Sequence, residues 1–145
     1  MSTTFIPDVI AKLEAAGLGT YGVNIFKGVK AVLPDDVPPG MRTIISVART
    51  GGGGDAGTHN DSRNGIAYET PSAQIVFRAP DYADVEADAE TGYAALNFVD
   101  RFINDTWWRF CRPQQEPFEL PVDEKGRVRF AFNIGCEKRP SPATS

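Results

Sequence analysis

The chain has 145 residues, 41% of them hydrophobic and 23% charged, enough for one domain with its own core and no need of a metal or disulfide staple. Its 15 basic against 19 acidic side chains leave a net charge of −4, which argues against a dedicated nucleic-acid binder. No stretch approaches the roughly 20 apolar residues of a membrane span, and the opening MSTTFIPDVI lacks the features of a signal peptide, so the sequence reads as a soluble protein of a reducing compartment with Cys111 and Cys136 as small buried side chains.

Thr3 to Ala16 predicts a short helix, because Phe5, Val9, Leu13 and Ala16 recur at three-to-four spacing. Thr4 is its expected N-cap and Gly17 its stop. Tyr21 to Phe26 alternates, with Tyr21, Val23 and Ile25 on one side, and predicts a strand. The stretch LPDDVPPG at 33–40 holds three prolines, which excludes regular structure. Thr43 to Arg49, rich in β-branched residues, predicts a second strand, and Ile66 to Ala79 a third. In the third, Ala73, Ile75 and Phe77 alternate with Gln74, Val76 and Arg78, and Pro71 is expected to bend the strand or place it at an edge.

A long helix is predicted from an N-cap at Asp81 to about Ile103. Tyr82, Val85, Ala89, Gly92, Leu96, Val99 and Ile103 form one apolar stripe, with Gly92 at the point where a neighbouring backbone comes close. The other face carries Asp84, Glu86, Asp88 and Glu90 with no basic residue among them. Trp107 to Arg112 predicts an aromatic strand in which one tryptophan faces the core and the other outward. Gln114 to Val122 predicts a loop and DEKG at 123–126 a turn. Arg127 to Glu137 alternates, Val128, Phe130, Phe132, Ile134 and Cys136 on one face and Arg127, Arg129, Ala131, Asn133, Gly135 and Glu137 on the other. The predicted fold class is α+β: a single two-layer domain over residues 1–138, a mostly antiparallel sheet packed by two helices, followed by a short mobile tail at 139–145.

RTGGGGDAGTHNDSR at 49–63 raises the question of nucleotide binding, since Gly52, Gly54 and Gly57 spell G-x-G-x-x-G. A dinucleotide fingerprint needs a helix opening at its third glycine. Here Gly57 leads into THNDSRNG and another strand, and Thr58 and His59 stand where a P-loop needs Lys and Ser or Thr. The expectation is a flexible inter-strand loop. His59 has no second histidine or cysteine nearby to share a metal, and Ser46 and Ser62 lie in no nucleophile elbow. Catalytic residues, cofactors and metals are therefore all assigned as none.

The succession GLGTYGVNIFKG, a strand ending ARTGGGG, GIAYETPSAQIVFRAPDYADVEADAE and RPQQEPFELPVDEKGRVRFAFNIGCE resembles the minor-capsid or tail-terminator proteins of long-tailed phages and related gene transfer agents. The marks are Gly-Thr-Tyr-Gly before the first strand, Gly-Gly at the end of the second, Tyr68-Glu-x-Pro71, the helix after Arg78-x-Pro80, and Arg112-Pro113 through Pro117-Phe118. None is a catalytic signature. The resemblance covers nearly the whole chain and departs at KGVKAVLPDDVPPG, where the connection is longer.

What the resemblance implies is a virion protein, not an enzyme. Its subunits would form a homo-hexameric ring on the head-proximal end of the tail tube, assembled in the host cytoplasm. The ring would meet the tail tube protein on one side and a neck or stopper protein on the other. DNA would pass through it without sequence-specific binding, and no membrane is involved. A different neck protein, a stopper or adaptor, is the nearer alternative; a small-molecule enzyme with an unrecognised site is the remote one. The candidate assembly contacts are the glycine loop (Gly51, Gly52, Gly53, Gly54, Asp55 and His59), outward Trp107, the acidic pair Asp84 and Asp88, and the basic group Arg78, Arg127 and Arg129. Acidic and basic faces on opposite layers of one subunit would meet across the ring's heterologous interface.

Overall fold

The computed structural model describes residues 5–28, 33–55, 68–104 and 106–139. Helix α1, Phe5–Ala15, buries Phe5, Val9, Ile10 and Leu13. It ends where Gly17 takes φ +82°. Gly17 then donates its N–H to Glu14 O at 3.0 Å and Leu18 to Leu13 O at 3.2 Å, the paired bonds of a Schellman stop.

The next segment differs from the expected strand. Strand β1 is only Ile25–Lys27, parallel to β2. Residues 19–24 instead fold around the buried amide of Asn24, which accepts from Thr20 N at 2.8 Å and donates to Leu18 O and Thr43 O, each at 2.9 Å. A side chain on Gly19 would collide with that amide. Tyr21 and Val23, expected on one side of a strand with Ile25, are exposed while Ile25 is buried.

Strand β2, Ile44–Asp55, runs through the glycines rather than stopping at Arg49. Gly51, Gly52 and Gly53 pair with Ser72, Pro71 and Thr70 of β3, and Asp55 pairs with Glu69, with irregularities on either side of that run. Ladder pairing uses only backbone groups, so a run without side chains can still form a strand, and Gly51 supplies the φ of +115° at the first irregularity. His59 lies outside the described residues, as do 56–67 generally.

Strand β3, Glu69–Ala79, alternates as expected but is central, flanked by β2 and β7. Pro71 sits where β3 has no recorded partner on the β7 side, between the pairs Glu69↔Lys138 and Ser72↔Gly135. That is how a proline is tolerated away from an edge.

Helix α2 is Tyr82–Ala95, capped by Asp81, whose carboxylate accepts from Ala83 N at 2.9 Å. It stops a full two turns before the expected end. Residues Phe98–Ile103 form strand β4, paired with β5, Thr106–Pro113. Val99 and Ile103 fit the helical spacing by coincidence: Val99 is exposed, and Ile103 reaches the core from a strand. Asn104, at φ +48°, opens the short turn to Thr106. Strand β6, Phe118–Leu120, lies inside the expected loop and pairs with β7, Val128–Lys138.

Among the described residues the sheet has seven strands in the order β1-β2-β3-β7-β5-β4, with β6 beside β7, and all its pairs except β1–β2 are antiparallel. Both helices cover one face. Phe5, Val9 and Leu13 of α1 and Val85, Ala89 and Leu96 from the α2 segment share one core with Ile45, Val47, Ile75, Phe77, Phe132 and Ile134. Phe77 and Phe132 stack with centroids 6.0 Å apart. At Gly92 a Cβ would come within 2.7 Å of Phe77 Cζ, so an aromatic ring, not a neighbouring backbone, occupies the space the missing side chain leaves. The architecture is thus α+β, an open sheet packed on one side by two helices.

Candidate assembly surfaces

The basic residues gather at one corner of the helix-free face. Arg78 and Arg129 are direct register partners on β3 and β7. Two guanidiniums side by side are tolerated because each is turned to a separate carbonyl. Arg78 donates to Pro34 O, and Arg129 donates through Nε and Nη2 to Pro121 O at 3.1 and 2.8 Å. Arg127 pairs with Asp123 at 2.7 Å and donates to Asp35 O at 2.8 Å, while Lys125 meets the Asp35 carboxylate at 2.8 Å. Backbone N–H groups of Arg127 and Lys125 also point at Asp123, and with the Arg127 side chain they hold its carboxyl down to about 2. Asp35 is lowered too, chiefly by its bond to Lys125. The 33–36 segment and the 121–126 turn therefore close this corner from within the chain.

The acidic residues divide the same way. Asp88 turns inward from α2, accepts from Thr43 Oγ1 at 2.7 Å and lies 3.6 Å from Arg42 Nε. Burial pushes its carboxyl up against the opposing pull of Thr43 and Arg42. Asp84, one turn earlier, is 3.7 Å from the same guanidinium. Glu86 and Glu90 are the exposed acids of the helix. The sequence reading left both charge sets for a neighbouring subunit; the structure gives each its own partners within the chain, through Arg42 on one side and Asp35, Asp123 and two carbonyls on the other.

Trp108 is the core tryptophan, stacked on Phe5 at 5.8 Å. Trp107 points outward, but Tyr68 lies at 6.0 Å from its ring and the Arg139 guanidinium at 5.3 Å, so the chain's own residues cover much of it. Gly51 to Asp55 present strand backbone rather than a loop.

What sequence reasoning missed is the β4 end of the sheet. Phe102 is 73% exposed and Val99 58%. They stand opposite Trp107 and Phe110 of β5, making an apolar patch on the helix-free face. Beside it is a shallow depression lined by Val99, Trp107, Arg109, Phe110, Arg112 and Glu137, with Arg109 and Glu137 paired at 3.3 Å. Strand β4 is the last in the sheet order, so one row of its backbone groups has no strand partner among the described residues. A monomer rarely leaves an aromatic residue on an open strand edge, because the edge is a template for association. The available signal was Asn104-Asp105 between two aromatic runs, which marks a hairpin turn rather than a helix end.

Among the described residues no three acidic, cysteine or histidine side chains gather as metal ligands do. No curated protein matches the sequence. A chain from the virion of a native gene transfer agent particle has a similar fold, with a TM-score of 0.59 at 14% identity, covering 93% of this chain and 94% of that one. The family model described as bacteriophage tail terminator protein matches residues 12–139, which takes in every strand, all of α2 and the last turn of α1. This chain belongs to the bacteriophage tail terminator family.

Proposed function

We propose that this chain is a structural virion subunit that closes into a ring, a homo-hexamer, on the head-proximal end of a tail tube. The ring stops tube growth and offers its other side to a neck protein, and DNA crosses it without base readout. The supporting observation is the family match across residues 12–139. The exposed β4 edge, with Phe102 at its outer rim, is a surface of the kind a neighbouring subunit covers. In a cyclic ring that edge meets a different surface of the next copy. The charged groups first assigned to this role contribute less, because solvent-exposed pairs are each worth roughly 0–1 kcal/mol and these have intrachain competitors.

The test is assembly. Purified protein, alone or with its tail tube protein, should sediment well above the 15.8 kDa subunit and show annular particles by electron microscopy. Adding it to polymerising tube protein should cap the tubes. A strictly monomeric protein that leaves tube growth untouched would overturn the reading.

A further inference from the structure

Cys111 on β5 and Cys136 on β7 are direct register partners, both buried and both free thiols, with their Sγ atoms 3.4 Å apart. The backbone spacing at this pair follows from a bond three residues away. Gln114 donates its N–H to Asn133 O at 2.7 Å, and the register puts 114 opposite 133. Hydrogen-bonded and non-hydrogen-bonded pairs alternate along an antiparallel ladder. The pair 112/135 is therefore hydrogen-bonded, and 113/134 and 111/136 are not. Pro113, which has no N–H, falls where none is required. Non-hydrogen-bonded pairs bring Cα atoms to about 4.5 Å, within the roughly 4.4–6.8 Å that a disulfide spans. The sulfurs can close to bonding distance by side-chain rotation, without moving either strand.

The geometry points to an oxidation site: Cys111 and Cys136 close to an intrachain disulfide when the folded subunit meets a hydroperoxide. One thiol sulfur attacks a peroxide oxygen, the O–O bond breaks, and a sulfenic acid and one water form. The second sulfur displaces the sulfenic hydroxyl, which leaves with the second thiol proton as another water. Two thiols and one hydrogen peroxide thus give one disulfide and two waters. The oxidant has to be small, because both sulfurs are covered; an open depression lined by Pro71, Phe110, Pro113, Gly135 and Cys136 reaches the Cys136 side of the pair. Burial raises the Cys136 thiol above its ordinary range, which lowers its thiolate fraction and makes the reaction with peroxide slow. The bond would fasten β5, and through it the β4 edge, to the centre of the sheet.

The folded protein is treated with hydrogen peroxide, quenched with catalase, unfolded in iodoacetamide and digested. The expected result is one peptide pair joined through Cys111 and Cys136, loss of both alkylatable thiols, and reversal by a phosphine reductant. The Cys111→Ser variant should give no linked pair, with Cys136 alkylated or singly oxidised. Two thiols that still alkylate in the treated wild type would overturn the proposal, as would separate sulfinic acids or a disulfide found only between chains.

Discussion

Glu69 and Lys138 face each other across β3 and β7 with carboxylate and ammonium 3.6 Å apart, and both are buried, Lys138 completely. Glu69 also pairs with Asp55 at the glycine-bearing end of β2 on its other side, and the Lys138 ammonium lies 5.8 Å from the Trp108 ring. Burial lowers the Lys138 amine, and Glu69 and Asp8 oppose that shift. Removing one member of a buried ion pair strands the other charge at a cost of about 3–5 kcal/mol. Lys138→Met should therefore destabilise the subunit by about that much in urea titration. Adding Glu69→Gln should recover a large part of it, and equal losses in the single and double variants would show that the pair does not act as one.

At Gly92 local propensity and packing have opposite signs. An exposed helical glycine gains about 1 kcal/mol on conversion to alanine. Here the new Cβ would lie 2.7 Å from Phe77, whose ring is held against Phe132. Gly92→Ala should instead lower stability by about 1–3 kcal/mol, the usual range for overpacking, and a raised thermal midpoint would contradict that packing.

Asp123 gives an acid-side prediction. Its carboxyl titrates near 2 in the folded chain against 3.8 for the ordinary group. A depressed carboxyl stabilises the fold above the unfolded value, and that contribution is lost as pH falls through the folded one. Between pH of about 4 and 2 the wild type should lose stability more steeply than Asp123→Asn, whose amide cannot titrate. Parallel curves in chemical denaturation across that window would remove Asp123 from the acid response.

Phe102→Ser tests the ring interface. The side chain is 73% exposed, so the monomer should keep its thermal midpoint while ring formation and tube capping fall. If rings form at the wild-type concentration, β4 is not the contact. Arg127→Glu with Arg129→Glu is the contrasting variant. Those side chains hold the 33–36 segment and the 121–126 turn, so the loss should appear first in monomer stability.

The strands β3 and β7 were legible in the sequence because each has one face on the core and one away from it, which writes a period of two into Ala73 to Arg78 and Phe130 to Cys136. The start of α2 was legible for a similar reason: Asp81 caps and Val85, Ala89 and Gly92 bury. Its end was not. Val99 and Ile103 continue a helical spacing that only the exposed Phe102 and the turn at Asn104 contradict. The glycine strand was hidden because its pairing resides entirely in the backbone, where residue identity says little. The charged candidate contacts were chosen because Asp84, Asp88, Arg78 and Arg127 are conspicuous in a linear sequence. Their partners, Arg42 and Asp35 among them, come together only in the fold.

The place of β7 has a consequence for how the subunit is made. It touches β3 on one side and β5 and β6 on the other, so among the described residues no strand before it joins the two halves of the sheet. A nascent chain that has emerged only through Leu120 holds β1 to β3 and β4 to β5 as separate ribbons, each with an open edge. The long-range closure comes only when residues 128–138 leave the ribosome, and such non-local closure slows folding and exposes edges while it is pending. An incomplete chain therefore lacks a finished sheet, and only subunits whose translation has passed Lys138 can present the complete fold to any neighbour.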